Sequence, residues 1–65
     1  MPKYPDITVQ LTGKDGNAFN ILGICLQAMR QAGLSQEERD AFQAEATSGN
    51  YDHLLATCME WFNVE

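Results

Sequence analysis

One short segment constrains this chain more than any other. Ile7-Thr8-Val9-Gln10-Leu11 alternates strictly, with Ile7, Val9 and Leu11 on one face. That period of two, rich in β-branched residues, is the pattern of a strand with one wet face. No other segment repeats it. A lone strand cannot satisfy its own N–H and C=O groups, and an exposed edge invites pairing. Its partner is therefore either the C-terminal segment or a second copy. The run Trp61-Phe62-Asn63-Val64-Glu65 can finish a helix or peel into a short extended segment. The expectation is helix to about Phe62, which leaves a second copy as the strand's partner. Size points the same way. A domain of 65 residues buries only about 60% of its unfolded surface, and burial and chain entropy then nearly cancel. Two cysteines without an export signal do not make a disulfide framework. One His with no Cys/His cluster does not make a structural zinc site. Self-association remains, as a homodimer or higher homo-oligomer.

The rest of the chain reads as helix. Residues 1–6 form a tail in which Pro2 and Pro5 favour extended geometry in their predecessors. Thr12 to Asn17 is a turn, with Asn17 as N-cap of the next helix and Asp15 as its competitor. A first helix is expected over 18–32. Phe19, Leu22, Leu26 and Met29 make one apolar row, and Ile21, Cys25, Ala28 and Ala32 the adjacent one. So apolar a girth suggests a central helix covered on several sides. Gly23 inside it costs roughly 1 kcal/mol against Ala, which close approach of a neighbouring backbone would explain. Gly33 is placed to end the helix in left-handed geometry. Ser35 and Glu38 match a capping box for a second helix over 36–48, pinned by Phe42. A third helix over 53–62 follows, capped by Asn50 or Asp52, with Leu54, Leu55, Cys58, Met59 and Phe62 as its buried stripe and Trp61 partly exposed. The fold class is thus α+β, mostly α: one domain, 1–65, with a short N-terminal strand (7–11) paired between subunits, then three helices.

Charge excludes some functions. Nine acidic residues against four basic ones give −5. Residues 1–34 sum to +1, whereas residues 35–65 set Arg39 against Glu37, Glu38, Asp40, Glu45, Asp52, Glu60 and Glu65. No nucleic-acid partner is expected, because such a partner needs a cationic footprint. No apolar run approaches the ~18 residues of a membrane span. The N-terminus lacks the apolar core of a signal peptide, so the expected location is cytoplasmic. The acidic half suits a solvated face or a protein partner with a basic surface.

Candidate chemistry is sparse. Gly13, Lys14, Gly16 and Asn17 form a glycine-containing turn at a helix N-terminus, a place where N–H groups attract anions. The turn lacks the spacing of a phosphate-binding P-loop, and Asp15 opposes a phosphate. His53 and Cys58 are five residues apart, about 140° around a helix, and do not form a nucleophile–base pair. Cys25 and Cys58 lie on apolar faces and read as buried thiols. A disulfide between them is geometrically open, but a reducing cytosol argues against it. The helix carrying Glu37, Glu38, Asp40 and Glu45 has nothing apolar to enclose them. Ile7, Val9, Leu11, Ile24, Tyr51 and Trp61 form a candidate interface, with aromatic anchors of the kind interfaces favour. No catalytic residue, metal site or cofactor motif emerges, and an enzyme is not expected.

Several stretches together are familiar: Tyr4-Pro5-Asp6, Val9-Gln10-Leu11-Thr12-Gly13, Asp15-Gly16-Asn17-Ala18-Phe19 with Ile21-Leu22-Gly23, Ala32-Gly33, Glu45 to Gly49, Tyr51 to Leu55, and Trp61 with Val64. In these the chain resembles a family of short uncharacterised proteins encoded in bacterial, plasmid and phage genomes. The resemblance implies a prokaryotic or phage accessory protein and transfers no functional residue. The expected function is a small acidic self-associating protein-interaction module, a regulator or inhibitor. The alternative is a small-anion or nucleotide binder using the Gly13–Asn17 turn.

Overall fold

A computed structural model describes residues 1–11 and 16–65. The elements run β1 (Tyr4–Val9), α1 (Ala18–Gln31), α2 (Gln36–Ala46), α3 (Tyr51–Trp61) and β2 (Phe62–Val64). The architecture is α+β and mostly helical, with a two-stranded sheet closing the chain on itself.

The strand's partner is the C-terminal segment. β2 pairs with β1 in parallel, Tyr4 opposite Phe62 and Val9 opposite Val64. Parallel strands need a long crossover, and the three helices supply it. Beyond the paired strands, Glu65 N–H donates to the Val9 carbonyl at 2.9 Å and Leu11 N–H to the Glu65 carbonyl at 2.8 Å. The expectation of helix to Phe62 is corrected: α3 stops at Trp61 and Phe62 turns extended (φ −134°, ψ 166°). Burial is the reason. Once extended, Phe62 sits fully in the core against Tyr4 and Phe42.

β1 also begins earlier than the alternation suggests, taking in residues 4–6 of the expected tail. Its register breaks between Tyr4 and Thr8. Pro5, which has no N–H to give a ladder, lies in this break, and the Asn63 side-chain amide donates to the Pro5 carbonyl. Beyond it the expected alternation holds: Ile7 and Val9 are buried, Thr8 and Gln10 exposed.

The helix ends follow local chemistry. Asn17 Oδ1 accepts the N–H groups of Phe19 (2.8 Å) and Asn20 (3.4 Å) and caps α1. Gly33 has φ +84° just past its end. The Ser35–Glu38 capping box is complete. Asn50, rather than Asp52, caps α3 through the His53 N–H at 2.9 Å. α2 ends at Ala46, two residues before the expected 48, where the Thr47 and Ser48 hydroxyls turn back to the carbonyls of Gln43 and Glu45 at 2.7 Å each.

The core gathers on one side of α1. Ile21, Cys25 and Met29 are buried there, together with Ile7, Val9, Phe42, Ala46, Leu54, Cys58, Trp61 and Phe62. Phe42 meets Trp61 and Phe62 at ring-centroid distances of 5.3 and 5.1 Å. Lys3 Nζ stands 4.2 Å from the centroid of the Trp61 ring, close enough for a cation–π contact. Tyr4 donates its hydroxyl to Glu38 Oε2 at 2.9 Å, which ties β1 to α2. The Ser35 backbone N–H, the Tyr4 hydroxyl and the Ser35 hydroxyl hold the Glu38 carboxyl below its usual range.

Two details of α1 and α3 depart from expectation. α1 packs against β1, α2 and α3, but a Cβ built on Gly23 meets nothing within 4 Å. No close backbone approach explains that glycine. Gly23→Ala is therefore expected to stabilise the protein by roughly 1 kcal/mol, raising Tm by about 4–8 °C. Thermal unfolding followed by circular dichroism checks this, and a lower Tm would mean that a neighbour does crowd the position. In α3 the buried stripe is Leu54, Thr57, Cys58 and Trp61, and Met59 is exposed. Trp61 is drawn inward because Tyr4 and Phe42 enclose it. The buried Thr57 hydroxyl is satisfied by the His53 carbonyl at 2.8 Å.

Candidate functional site

Three chain segments meet at one end of the helical layer: the first turns of α1, the end of α2 with residues 47–50, and the start of α3. Between them lies a groove of about 280 Å³ lined by Ala18, Phe19, Leu22, Ala46, Gly49, Tyr51 and Leu54, with Thr47 and Asn50. Its lining is mostly apolar. Phe19 is 85% exposed and Tyr51 43%. Exposed apolar side chains gathered beside an apolar groove are the kind of surface that interaction sites use.

Local bonds hold the groove's shape. The Tyr51 hydroxyl donates to the Gly16 carbonyl at 2.6 Å, pinning the entry of α1 to the first turn of α3. Behind the lining residues Ala46 and Thr47, His53 closes the end of α2. Its Nε2 lies 2.9 Å from the Glu45 carbonyl and 3.0 Å from Ser48 Oγ, and that hydroxyl donates to the same carbonyl at 2.7 Å. Nε2 facing a carbonyl is assigned as the protonated nitrogen, so His53 donates there and does not act as a base toward Ser48. His53 is a half-buried cap of α2, because the last carbonyls of that helix need donors.

The residues singled out from sequence are scattered by the fold. Ile7, Val9 and Trp61 belong to the core, not to an exposed interface, and Leu11 and Ile24 are half-buried against that core. The alternating face of β1 is covered by the chain's own helices, which is why its residues do not reach a surface. Only Tyr51 of the six stands on the groove. Of the anion-binding candidates, Gly13 and Lys14 lie outside the described residues. Gly16 gives its carbonyl to Tyr51, and Asn17 occupies the N–H groups of Phe19 and Asn20. Those two donors at the α1 N-terminus are thus taken by the chain itself.

Phe19, Leu22 and Leu54 escape sequence reasoning as site residues. Phe19 falls in an apolar row with Leu22, Leu26 and Met29, yet only Met29 of that row is fully buried. A usable signal is its place at the second position of α1, where a helix end can project past the elements that cover its middle. Arg30 and Arg39 are a second case. They line a cleft between α1 and α2 with Leu26, Gln27 and Gln31, Arg30 two residues before the turn 32–35 that joins those helices and Arg39 four residues after it. Arg39 Nε is buried there without a hydrogen-bond acceptor among the described residues.

Among the described residues, no group of three or more His, Cys, Asp or Glu is placed to hold a metal ion, and no helix is long and apolar enough to cross a membrane. Compared with known proteins, the chain matches no family model, no curated protein and no solved structure.

Proposed function

We propose that this chain is a small acidic protein-interaction module of the cytoplasm, of prokaryotic or phage origin, that regulates or inhibits a partner by docking a basic amphipathic segment in the groove between Phe19 and Tyr51. The observation that carries the reading is Phe19, 85% exposed on the rim of an apolar groove. Charge complementarity selects the occupant. Two walls of the groove come from the acidic half of the chain, and Glu45 and Asp52, both exposed, adjoin the lining residues Ala46 and Tyr51 in sequence. A partner offering an apolar side chain to the groove and Lys or Arg to its margins meets both features, and opposite charges at a rim chiefly steer and select partners. With β2 beside β1, pairing of that strand no longer calls for a second copy.

Phe19→Asp tests the groove without harming the fold. Residue 19 is solvated, where substitutions change stability by about 0.5 kcal/mol or less, and an acidic residue in the first turn suits the helix dipole. The probe is a helical peptide with one leucine face and one lysine face, titrated against the labelled protein by NMR. Wild type is expected to show shifts at Phe19, Leu22, Tyr51 and Leu54. Loss of an aromatic anchor is expected to weaken binding roughly 30-fold, about 2 kcal/mol. Equal binding by the variant, or by a peptide with glutamate in place of lysine, overturns the proposal. A mass that doubles in light scattering and halves on Phe19→Asp gives the groove to a second copy instead.

A further inference from the structure

Cys25 on α1 and Cys58 on α3 both have free thiols. Their sulfur atoms are 3.5 Å apart, 33 residues distant in sequence, and both residues are 0% exposed. Buried cysteines commonly serve as small hydrophobes facing apolar side chains. Here each sulfur faces the other across the interface of two helices. A disulfide requires a sulfur separation of about 2.05 Å, so a modest approach of two side chains already in contact is what remains. We propose that Cys25 and Cys58 form an oxidisable dithiol, which a hydroperoxide converts into a disulfide joining α1 to α3.

The chemistry balances in two steps. One thiolate sulfur attacks an oxygen of hydrogen peroxide. The O–O bond breaks, hydroxide leaves and takes up a proton as water, and the attacking cysteine becomes a sulfenic acid. The second sulfur, losing its proton, then attacks the sulfenic sulfur; the S–O bond breaks and a second water leaves. Two thiols lose two electrons and two hydrogens in total, and one peroxide becomes two waters. The pair is arranged for this division of labour. The sulfur–sulfur contact, in which either atom can donate, together with burial raises the Cys25 thiol. Whichever sulfur ionises attacks the peroxide, and the other, already in contact with it at 3.5 Å, resolves the sulfenic acid. Peroxide is small enough to enter during local opening of a small domain, whereas a bulky disulfide reagent is not admitted to a fully buried pair.

The test uses the full chain, without denaturant, exposed to hydrogen peroxide and then digested under non-reducing conditions. Expected are an intact mass lower by two hydrogens, a Cys25–Cys58 linked peptide, a single-chain band on a non-reducing gel, and reversal by dithiothreitol. Closing a loop of this length is expected to reduce the unfolded fraction by roughly 30- to 1,000-fold at equilibrium. In Cys58→Ala the two-hydrogen loss is expected to disappear. Oxygen added separately to each cysteine of the wild type, links between chains, or unmodified cysteines alongside oxidised exposed Met59 each overturn the proposal. The wild-type mass and peptide map decide the matter even where the variant folds poorly.

Discussion

Removing residues 62–65 is expected to unfold the protein. Phe62 is among the most deeply buried large side chains, and emptying a core site of that size costs about 3–5 kcal/mol. The same cut removes every backbone partner that β2 and Glu65 provide to β1, including the Val9–Glu65–Leu11 ladder. A single small core rarely supplies more than about 3–5 kcal/mol of net stability, so the loss equals or exceeds what holds the fold together. Far-UV circular dichroism and a proton–nitrogen NMR spectrum check the result. A truncated chain that still unfolds cooperatively, within about 1 kcal/mol of the full chain, would falsify the pairing described here. If such a chain showed a concentration-dependent Tm, β1 would have found its partner in a second copy, as the sequence pattern alone suggests.

Phe42→Ala is expected to have the second-largest effect, about 3–5 kcal/mol. α2 buries only Phe42 and Ala46. The Phe42 ring is fully enclosed and lies against both Trp61 and Phe62. Losing it therefore weakens three attachments together: α2 to α3, α2 to the sheet, and the seat of Trp61. Denaturant unfolding measures the loss, and hydrogen exchange is expected to quicken first in residues 36–46, the element with least other support. Phe19→Ala is the contrast, with a change of about 0.5 kcal/mol or less. A loss at position 42 no larger than that at 19 would overturn the packing of α2. The two residues are chemically identical and both sit in amphipathic helices. Only the neighbours supplied by distant parts of the chain tell them apart.

The candidate site was correspondingly hard to read. Tyr51 is recognisable as an aromatic in excess of the core's needs, but its companions Phe19, Leu22 and Leu54 are apolar residues in apolar rows. Periodicity identifies a helix face without stating how far along the helix the covering elements extend. α1 is covered at Ile21, Cys25 and Met29, while Phe19 projects beyond its cover. In β1 the opposite happened. Ile7 and Val9 looked available because the strand had no visible partner, and the partner proved to be a three-residue strand too short to alternate.

The features legible in the residues alone are those whose interactions span four positions or fewer. Asn17, Ser35 with Glu38, and Asn50 cap their helices through bonds to backbone groups two or three residues away, and Gly33 supplies a backbone angle that needs no neighbour at all. The count of three helices, their order and the alternating face of β1 follow from the same short range. Tertiary structure alone decided that Phe62 leaves its helix for the sheet, that Cys25 meets Cys58, and that Phe19 stays outside while Phe42 goes in. Each of these outcomes compares the burial gained in one packing with that gained in another. Those energies depend on contacts between residues some 20 to 58 positions apart, which no local pattern encodes.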